Sequence, residues 1–488
     1  MTAPVSLDPN LAPREAALQF LHGRIDYERM PSLPYGAQEF KLDRMRDLMT
    51  RLGNPQQALP IVHVAGTKGK GSTAAMIGAV LSASGRRTGV FTSPHLDCLE
   101  ERVAIDGQPC SSAELVALVD QIRPVVEAMD RAASTCDPPE LGATYFEITT
   151  AMALLHFFRR EVDAAVLEVG LGGRLDSTNV CRPRVSVITS ISFDHTQQLG
   201  NTLESIAREK AGIIKPGVPV VSGVMAPGPR EVIRRICADR GCRLVELGTD
   251  FDFDYDPPRR LESAPARGKI DFRYSGPGGE QGYSGVSLGL LGRHQAANAA
   301  VALAVLAELR LGGWEIPEEA VRSGLAEVRW PGRVELVARR PAIVIDAAHN
   351  PASIEALLAV LRESFSVRRR ILVFAATREK DVPTMLGQVL GQFDHVILTR
   401  YLDNPRSVPP EELEAAAVEL TGRRWQVCPR PADAWEAVCR LAEPGDLVCV
   451  TGSFFIAAEM RRQLQARPLG MPSWSGVLKN SGTDRKEG

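Results

Sequence analysis

The chain has 488 residues, enough for two or three domains that each bury a sizeable core. Its formal charge is −2, from 57 basic and 59 acidic side chains, so nothing in the balance favours nucleic acid or an anionic membrane as a partner. Hydrophobic residues make up 44% and charged residues 24%, a globular balance, and no run of about 18 apolar residues could span a bilayer.

The opening MTAPVSLDPNLAPREAAL has no basic stretch followed by an apolar one, so no signal peptide is expected. IVHVAG at 61–66 reads as a buried strand, and STAAMIGAVLSASG at 72–85 as the helix after it, closed by Gly85. DAAVLEVG at 163–170 and RVSVITSI at 184–191 are again strand-like, with PVVSG at 219–223 a weaker case. Strands alternating with helical stretches predict parallel βαβ units and a doubly wound α/β domain. Residues 248–285 break that rhythm with polar/apolar alternation and many Gly and Pro, which predicts a small antiparallel β subregion. A helix is expected at 293–310, and the Pro-Gly signal in AEVRWPG at 326–332 marks a linker. A second α/β rhythm follows in AIVIDAAHN (342–350), RILVFAAT (370–377), HVILTR (395–400) and DLVCVTGSFF (446–455), a smaller Rossmann-like domain. The expected boundaries are 1–326 for the first domain, 327–332 for the linker, 333–470 for the second domain, and a polar, disordered tail at 471–488. Nine scattered cysteines, odd in number and without a CxxC pair, suggest neither zinc nor disulfides and fit a reducing, cytoplasmic compartment.

The sharpest motif is Gly66-Thr67-Lys68-Gly69-Lys70-Gly71-Ser72, between strand and helix. It is shorter than the Walker A pattern, with two residues rather than four before the second glycine. The physics is the same. Glycines let backbone amides turn toward phosphate oxygens, the helix points its N-terminus at the same anion, Lys70 reaches the outer phosphates and Ser72 offers a hydroxyl to Mg²⁺. The plain alternative is a tight turn of small residues, against which two lysines argue. Glu168 ends a buried strand, where α/β sheets bind ligands, and a carboxylate there needs a cation. GLGG at 170–173 is no dinucleotide fingerprint, because the third glycine position holds Leu175. His195 also lies beyond a strand and could ligate metal as a neutral imidazole, although an isolated histidine is more often structural. Lys210, on a helix ending near Gly212, reads by itself as a solvated surface lysine.

HVAGTKGKGSTAAM, FTSPHLDCLEERVAIDG, LEVGLGGRLDSTNV, DHTQQLGNTLESIAREKAGIIK, LLGRHQAANAAVAL, WPGRVE, IDAAHNPAS and GSFF, in this order, resemble the folylpolyglutamate synthase/dihydrofolate synthase family of Mur-type ligases over residues 15–465. That resemblance implies an ATP-dependent ligase that joins L-glutamate to dihydropteroate or a folate through an acyl phosphate. It implies nucleotide contacts from Gly66 to Thr73 and at Asn298, Arg333 and Asp346, with Asp346 near the ribose. It implies one or two Mg²⁺ ions at Ser72, Ser93, Glu168 and His195, and a Lys210 that reacts with CO₂ to form a carbamate. Lys70, Lys210 and His349 become the catalytic set. Ser93, Pro94, His95, Leu96 and Arg102 match the loop that holds the pterin-bearing substrate, and His349 and Ser453 the glutamate pocket. The family expectation is a monomer acting on small molecules, with no nucleic acid or membrane partner, and a two-domain cleft that closes over the acyl phosphate. Two departures stand out: Lys68 replaces a usual Asn, and Phe454-Phe455 after Ser453 replace an aliphatic residue and Tyr. The rivals are a Mur-type ligase of cell-wall precursors, which the SPHL and DHTQQLG segments disfavour, and a non-catalytic paralogue, which should have lost one of Lys70, Ser72, Glu168, His195 or Lys210.

Overall fold

Short β-branched runs form strands buried on both faces, as parallel sheets covered by helices require. The computed structural model describes residues 12–28, 42–135, 141–277 and 279–466. The opening residues and the tail expected after 470 lie outside the described residues. Among the described residues the chain divides into two compact units. One lies within Met1–Tyr255, Ile270–Gly289 and His294–Val328; the other lies within Asp256–Lys269, Leu290–Arg293 and Arg329–Gly488.

The first unit is built on β1 (Ile61–Ala65), β2 (Thr88–Phe91), β3 (Val103–Ile105), β4 (Gln108–Pro109), β5 (Ala164–Glu168), β6 (Val185–Ile188), β7 (Val220–Ser222) and β8 (Leu244–Glu246). They form one sheet in the order β4-β3-β2-β5-β1-β6-β7-β8. The six strands from β2 to β8 in that order run parallel, and β3 and β4 turn back antiparallel at one edge. All five residues of β1 and of β5 are buried. The helix Lys70–Ala83 crosses one face, and Gly324 of the helix Glu318–Glu327 lets the two backbones meet there. A Cβ on Gly324 would stand 2.7 Å from Val80 Cα. The expected antiparallel subregion is a three-stranded sheet of β9 (Phe251–Asp256), β10 (Gly268–Gly276) and β11 (Gly279–Leu288), with strict in/out alternation along β10. The helix Arg293–Leu311 is alanine-rich and buried along most of its length. Its Glu308 accepts from Tyr274 Oη at 2.6 Å and pairs with Arg243, satisfying a carboxylate that burial would otherwise penalise.

The second unit holds β12 (Glu335–Arg339), β13 (Ala342–Ile345), β14 (Arg370–Phe374), β15 (His395–Leu398), β16 (Gln426–Val427) and β17 (Leu447–Thr451) in the order β12-β13-β17-β14-β15-β16. Every pairing is parallel except that of β12 with β13. Leu261 joins this unit's core beside Val334, Ile354 and Leu361, and its amide donates to Ser364 O at 3.0 Å. The apolar run at 446–455, read as one strand, is corrected here. The strand ends at Thr451 and a helix, Phe454–Ala466, starts three residues later. Gly452 makes the turn at φ 104°, where a Cβ would meet Ala375 O at 2.5 Å. A short apolar run does not by itself distinguish a strand from a buried helix start. The helix read from 72 begins two residues earlier, at Lys70.

Candidate functional site

Strands β5, β1 and β6 lie side by side and end level, since Val64 pairs with Glu168 and Ala65 with Ile188. The chain builds outward from β1 in both directions, so the strand order reverses there, the usual place for a ligand in an open α/β sheet. The glycine loop leaves β1 at this point. Gly66 at φ 150° and Gly69 at φ 83° are closed in from outside. A Cβ on Gly66 would stand 1.9 Å from Thr189 Oγ1, and one on Gly69 2.1 Å from Asn298 Oδ1.

The residues after β6 clamp this loop. Thr67 N donates to Ser190 O at 2.7 Å and Lys68 N to Ser190 Oγ at 3.0 Å. Thr189 Oγ1 donates to Lys68 O at 2.6 Å. Thr67 Oγ1 donates to Ser192 O and accepts from Ser192 N. None of Thr189, Ser190 and Ser192 was singled out from sequence. The only signal is a cluster of hydroxyl residues after a strand, which many loops share. Past the clamp, the helix Lys70–Ala83 starts with Gly69 as N-cap and no side-chain cap. Its first amides therefore have no intrahelical partner and present a positive end to whatever the loop holds. Ser72 and Thr73 are buried there, and Thr73 Oγ1 has no hydrogen-bond partner among the described residues.

Two lysines face two carboxylates around the loop, and a third reaches its backbone. Lys70 Nζ lies 3.9 Å from Glu168 Oε1, Lys68 Nζ 2.5 Å from Asp194 Oδ2, and Lys210 Nζ donates to Gly66 O at 2.9 Å. Lysine ammonium groups beside a helix N-terminus suit a polyanion such as a nucleotide's phosphates. The expectation that Lys210 is a surface lysine is corrected: it is buried, on the same helical face as Ile206 and Ala207. Burial, and then the nearby charge of Lys70, push its pKa down to about 7. The loop after Glu168 seats this helix end. Arg174 N donates to Glu209 O at 2.8 Å, and Asn179 Nδ2 donates to Arg174 O at 2.9 Å.

Ser93 N donates to Glu168 Oε2 at 3.1 Å, which places the start of the SPHL segment beside the same carboxylate. His195 lies on an exposed turn at φ 50°, its Nε2 3.9 Å from the Oδ1 of Asp194, the carboxylate that pairs with Lys68. Among the described residues no group of three or more His, Cys, Asp or Glu side chains could hold a metal alone. A buried hydroxyl (Ser72) and a buried carboxylate (Glu168) at a phosphate loop fit Mg²⁺, which keeps few protein ligands and completes its shell with phosphate oxygens and water.

Arg102 is fully buried. Its Nε donates to His95 Nδ1 at 2.9 Å, a terminal nitrogen donates to Glu28 Oε1 at 2.8 Å, and its guanidinium lies 5.3 Å from the Tyr145 ring centre. Burial first, and then Arg102, push the His95 pKa down to about 4, so that imidazole is neutral near pH 7. Leu96 N donates to Glu101 Oε2 at 2.8 Å. Pro94 completes the segment through a cis bond from Ser93.

In the second unit, Asp346 and His349 follow β13. Asp346 accepts from Val334 N and from Ala348 N, both at 2.8 Å. Arg333 lies over the Phe454 ring at 5.7 Å. His349 Nδ1 lies 2.9 Å from Ala347 O, so that nitrogen carries the hydrogen and, in the neutral ring, Nε2 has the lone pair. Ser453 is buried beyond β17, with Phe455 N donating to its Oγ at 3.2 Å.

Residues 64–306 match the family model of the Mur ligase middle domain, and residues 332–454 that of the Mur ligase glutamate ligase domain. The chain is 36% identical over 452 residues to the dihydrofolate synthase/folylpolyglutamate synthase of Bacillus subtilis, covering 92% of this chain and 98% of that protein. Its structure is similar to that of Mycobacterium tuberculosis folylpolyglutamate synthase complexed with ADP, with a TM-score of 0.82 and 34% identity over 93% of this chain and 98% of that one. It is similar also to Escherichia coli FolC in complex with DHPP and ADP, with a TM-score of 0.76 and 31% identity over 93% and 98% of the two chains.

Proposed function

We propose, from the premise that this chain belongs to the Mur ligase family and within it to the dihydrofolate synthase/folylpolyglutamate synthases, that it drives its ligation with ATP at the Gly66–Ser72 loop. Its activity is the ligation of glutamate in folate metabolism. The observation that carries the ATP reading is the clamped glycine loop, with Lys70 beside Glu168 and Lys210 on the Gly66 carbonyl. Relatives in complex with ADP, AMPPCP and DHPP support the same reading.

Joining a carboxylate to an amine needs activation, because carboxylate oxygen is a poor leaving group. In our reading the carboxylate of dihydropteroate or a folate attacks the γ-phosphorus of ATP, the bond to the bridging oxygen breaks, and ADP leaves. The amine of L-glutamate then attacks the acyl carbon, the carbon–oxygen bond to phosphate breaks, and phosphate leaves. Phosphoryl transfer asks mainly for positioning and charge neutralisation. Lys70 and the first amides of Lys70–Ala83 supply both, and Asn298 over Gly69 fixes the loop's shape. Mg²⁺, held by Ser72 and Glu168 together with phosphate oxygens, would neutralise charge on the transferring group. The lowered pKa of Lys210 gives it a substantial neutral fraction near pH 7, and the neutral amine is the form that adds CO₂ to give a carbamate and release a proton. That change turns a cation into an anion where the metal binds. We assign His349 Nε2 to take the proton from the glutamate amine and Ser453 to bind its carboxylate. Ser93 to Leu96 are assigned to the pterin end, with Arg102 holding His95 from behind.

The test is ADP release with Mg-ATP and L-glutamate, offering dihydropteroate in one assay and tetrahydrofolate in another. Stimulation by both marks a bifunctional enzyme, and stimulation by one names the acceptor. Stimulation by neither, in protein that binds ATP, would overturn the assignment.

A further inference from the structure

We propose that Thr377 and Tyr401 are positioning residues that fix Ser453 as a hydrogen-bond donor toward a carboxylate of the amino-acid substrate. The proposal rests on the assignment of Ser453 to the glutamate pocket. It is carried by three buried hydroxyls that three neighbouring strands bring to one sheet edge. In the order β17-β14-β15, each parallel strand is followed within three residues by one of them: Ser453 after Thr451, Thr377 after Phe374, Tyr401 after Leu398. The carboxyl ends of parallel strands are where open α/β sheets place ligands.

The hydrogens can be counted. Tyr401 Oη lies 2.8 Å from Thr377 Oγ1, and Thr377 Oγ1 lies 3.4 Å from Ser453 Oγ. Ser453 Oγ already accepts from Phe455 N at 3.2 Å. Tyr401 also makes a side-chain hydrogen bond with Ser453, and a phenol is a stronger donor than an aliphatic hydroxyl, so Ser453 stands at the accepting end whether the phenol donates to it directly or through Thr377. The favoured sense is therefore from Tyr401 toward Ser453. Burial keeps the phenol protonated, which suits it as the first donor. The Tyr401 ring is held against Phe455 at 5.0 Å, so its hydroxyl has little freedom to turn away. Ser453 Oγ then accepts twice, from Phe455 N and from Thr377 or Tyr401, and its own hydrogen must point elsewhere. A hydroxyl whose lone pairs are spent and whose hydrogen is available is matched to an anionic oxygen and mismatched to an ammonium.

Steady-state kinetics at varied L-glutamate test this with Ser453→Ala, Thr377→Val, Thr377→Ser, Tyr401→Phe and the double variant Thr377→Val/Ser453→Ala, each checked for folding by thermal melting. Thr377→Val should raise the KM for L-glutamate about tenfold, the worth of one misdirected bond to a charged group, with the KM for ATP unchanged. Thr377→Ser should restore the wild-type value, and Tyr401→Phe should shift it the same way by about threefold, being one bond further from the substrate. The double variant should be no worse than Ser453→Ala, because both changes remove the same contact. A Thr377→Val effect that persists undiminished in the Ser453→Ala background, or that moves both KM values together, would overturn the proposal. An unchanged KM in Ser453→Ala would instead remove Ser453 from the pocket. A raised KM there with wild-type behaviour in Thr377→Val and Tyr401→Phe would leave Ser453 in place and sink the relay alone.

Discussion

Lys210 Nζ donates to the carbonyl of Gly66 at 2.9 Å, tying the last turn of one helix to the first residue of the glycine loop 144 positions earlier. Its burial depends on that bond. The amine has a partner whether or not it is charged, because the carbonyl needs only an N–H.

Stability should therefore depend on pH through Lys210. Its folded pKa, near 7, is depressed from an ordinary 10.5. Between those values the unfolded chain binds a proton that the folded chain does not, so stability rises as pH rises through that window, by up to about 1.4 kcal/mol per pH unit. Below it both states are protonated and the full burial penalty applies. Lys210→Met should stabilise the protein most at the acid end and progressively less toward pH 10. Urea unfolding of both proteins across the window checks this, and parallel curves would refute it.

His95 gives a slope of the same sign in a lower range. Its pKa is pushed from 6.5 to about 4. Between these values only the unfolded chain takes up the proton, so stability falls as pH drops from about 6.5 toward 4, by up to about 1.4 kcal/mol per pH unit. Replacing His95 with Gln should flatten that limb without altering stability at pH 8 by more than about 1 kcal/mol, the worth of one hydrogen bond. Chemical denaturation at pH 5 and pH 8 reads the difference.

Lys70→Ala should cut turnover by orders of magnitude while the fold survives. Removing one preorganised positive group from a phosphoryl-transfer site costs on the order of 10²–10³-fold in rate. ADP release measured on protein with a wild-type melting temperature is the check, and a rate near that of the wild type would sink the assignment of the loop.

Chelation should separate activity from stability. Because the described residues offer no ready-made metal cage, EDTA should stop ADP release yet leave the melting temperature of nucleotide-free protein unchanged. Mg²⁺ should raise the melting temperature only when ATP is present, by mass action on the folded state. A metal-dependent melting temperature without nucleotide would point to a built-in site.

Local patterning makes most of the parallel strands legible as short β-branched runs, but not β2, β8 or β16. The glycine loop and Glu168 are legible at the ends of such runs, whereas Ser453 falls inside a run that reads as strand and only the family resemblance marks it. What stayed hidden is what depends on another part of the chain. Lys210 looks like a surface residue until the helix face it shares with Ile206 is known to pack inward. Thr189, Ser190 and Ser192 look like ordinary loop hydroxyls until the second chain segment they grip is in view. Phe454 and Phe455 continue an apolar run in sequence, and only the turn at Gly452 makes them the start of a helix.

The clamp on the glycine loop has a thermodynamic consequence. The amides of Thr67 and Lys68 are spent on Ser190, whereas those opening the next helix have no partner within that helix. Hydrogen exchange in the empty protein should therefore divide this stretch in two, with slow amides at 67 and 68 followed by fast ones at Lys70 and Gly71. A nucleotide arriving there meets a loop whose shape is already fixed, and ordering it forfeits little chain entropy. Binding should slow the second group of amides and leave the first almost unaltered.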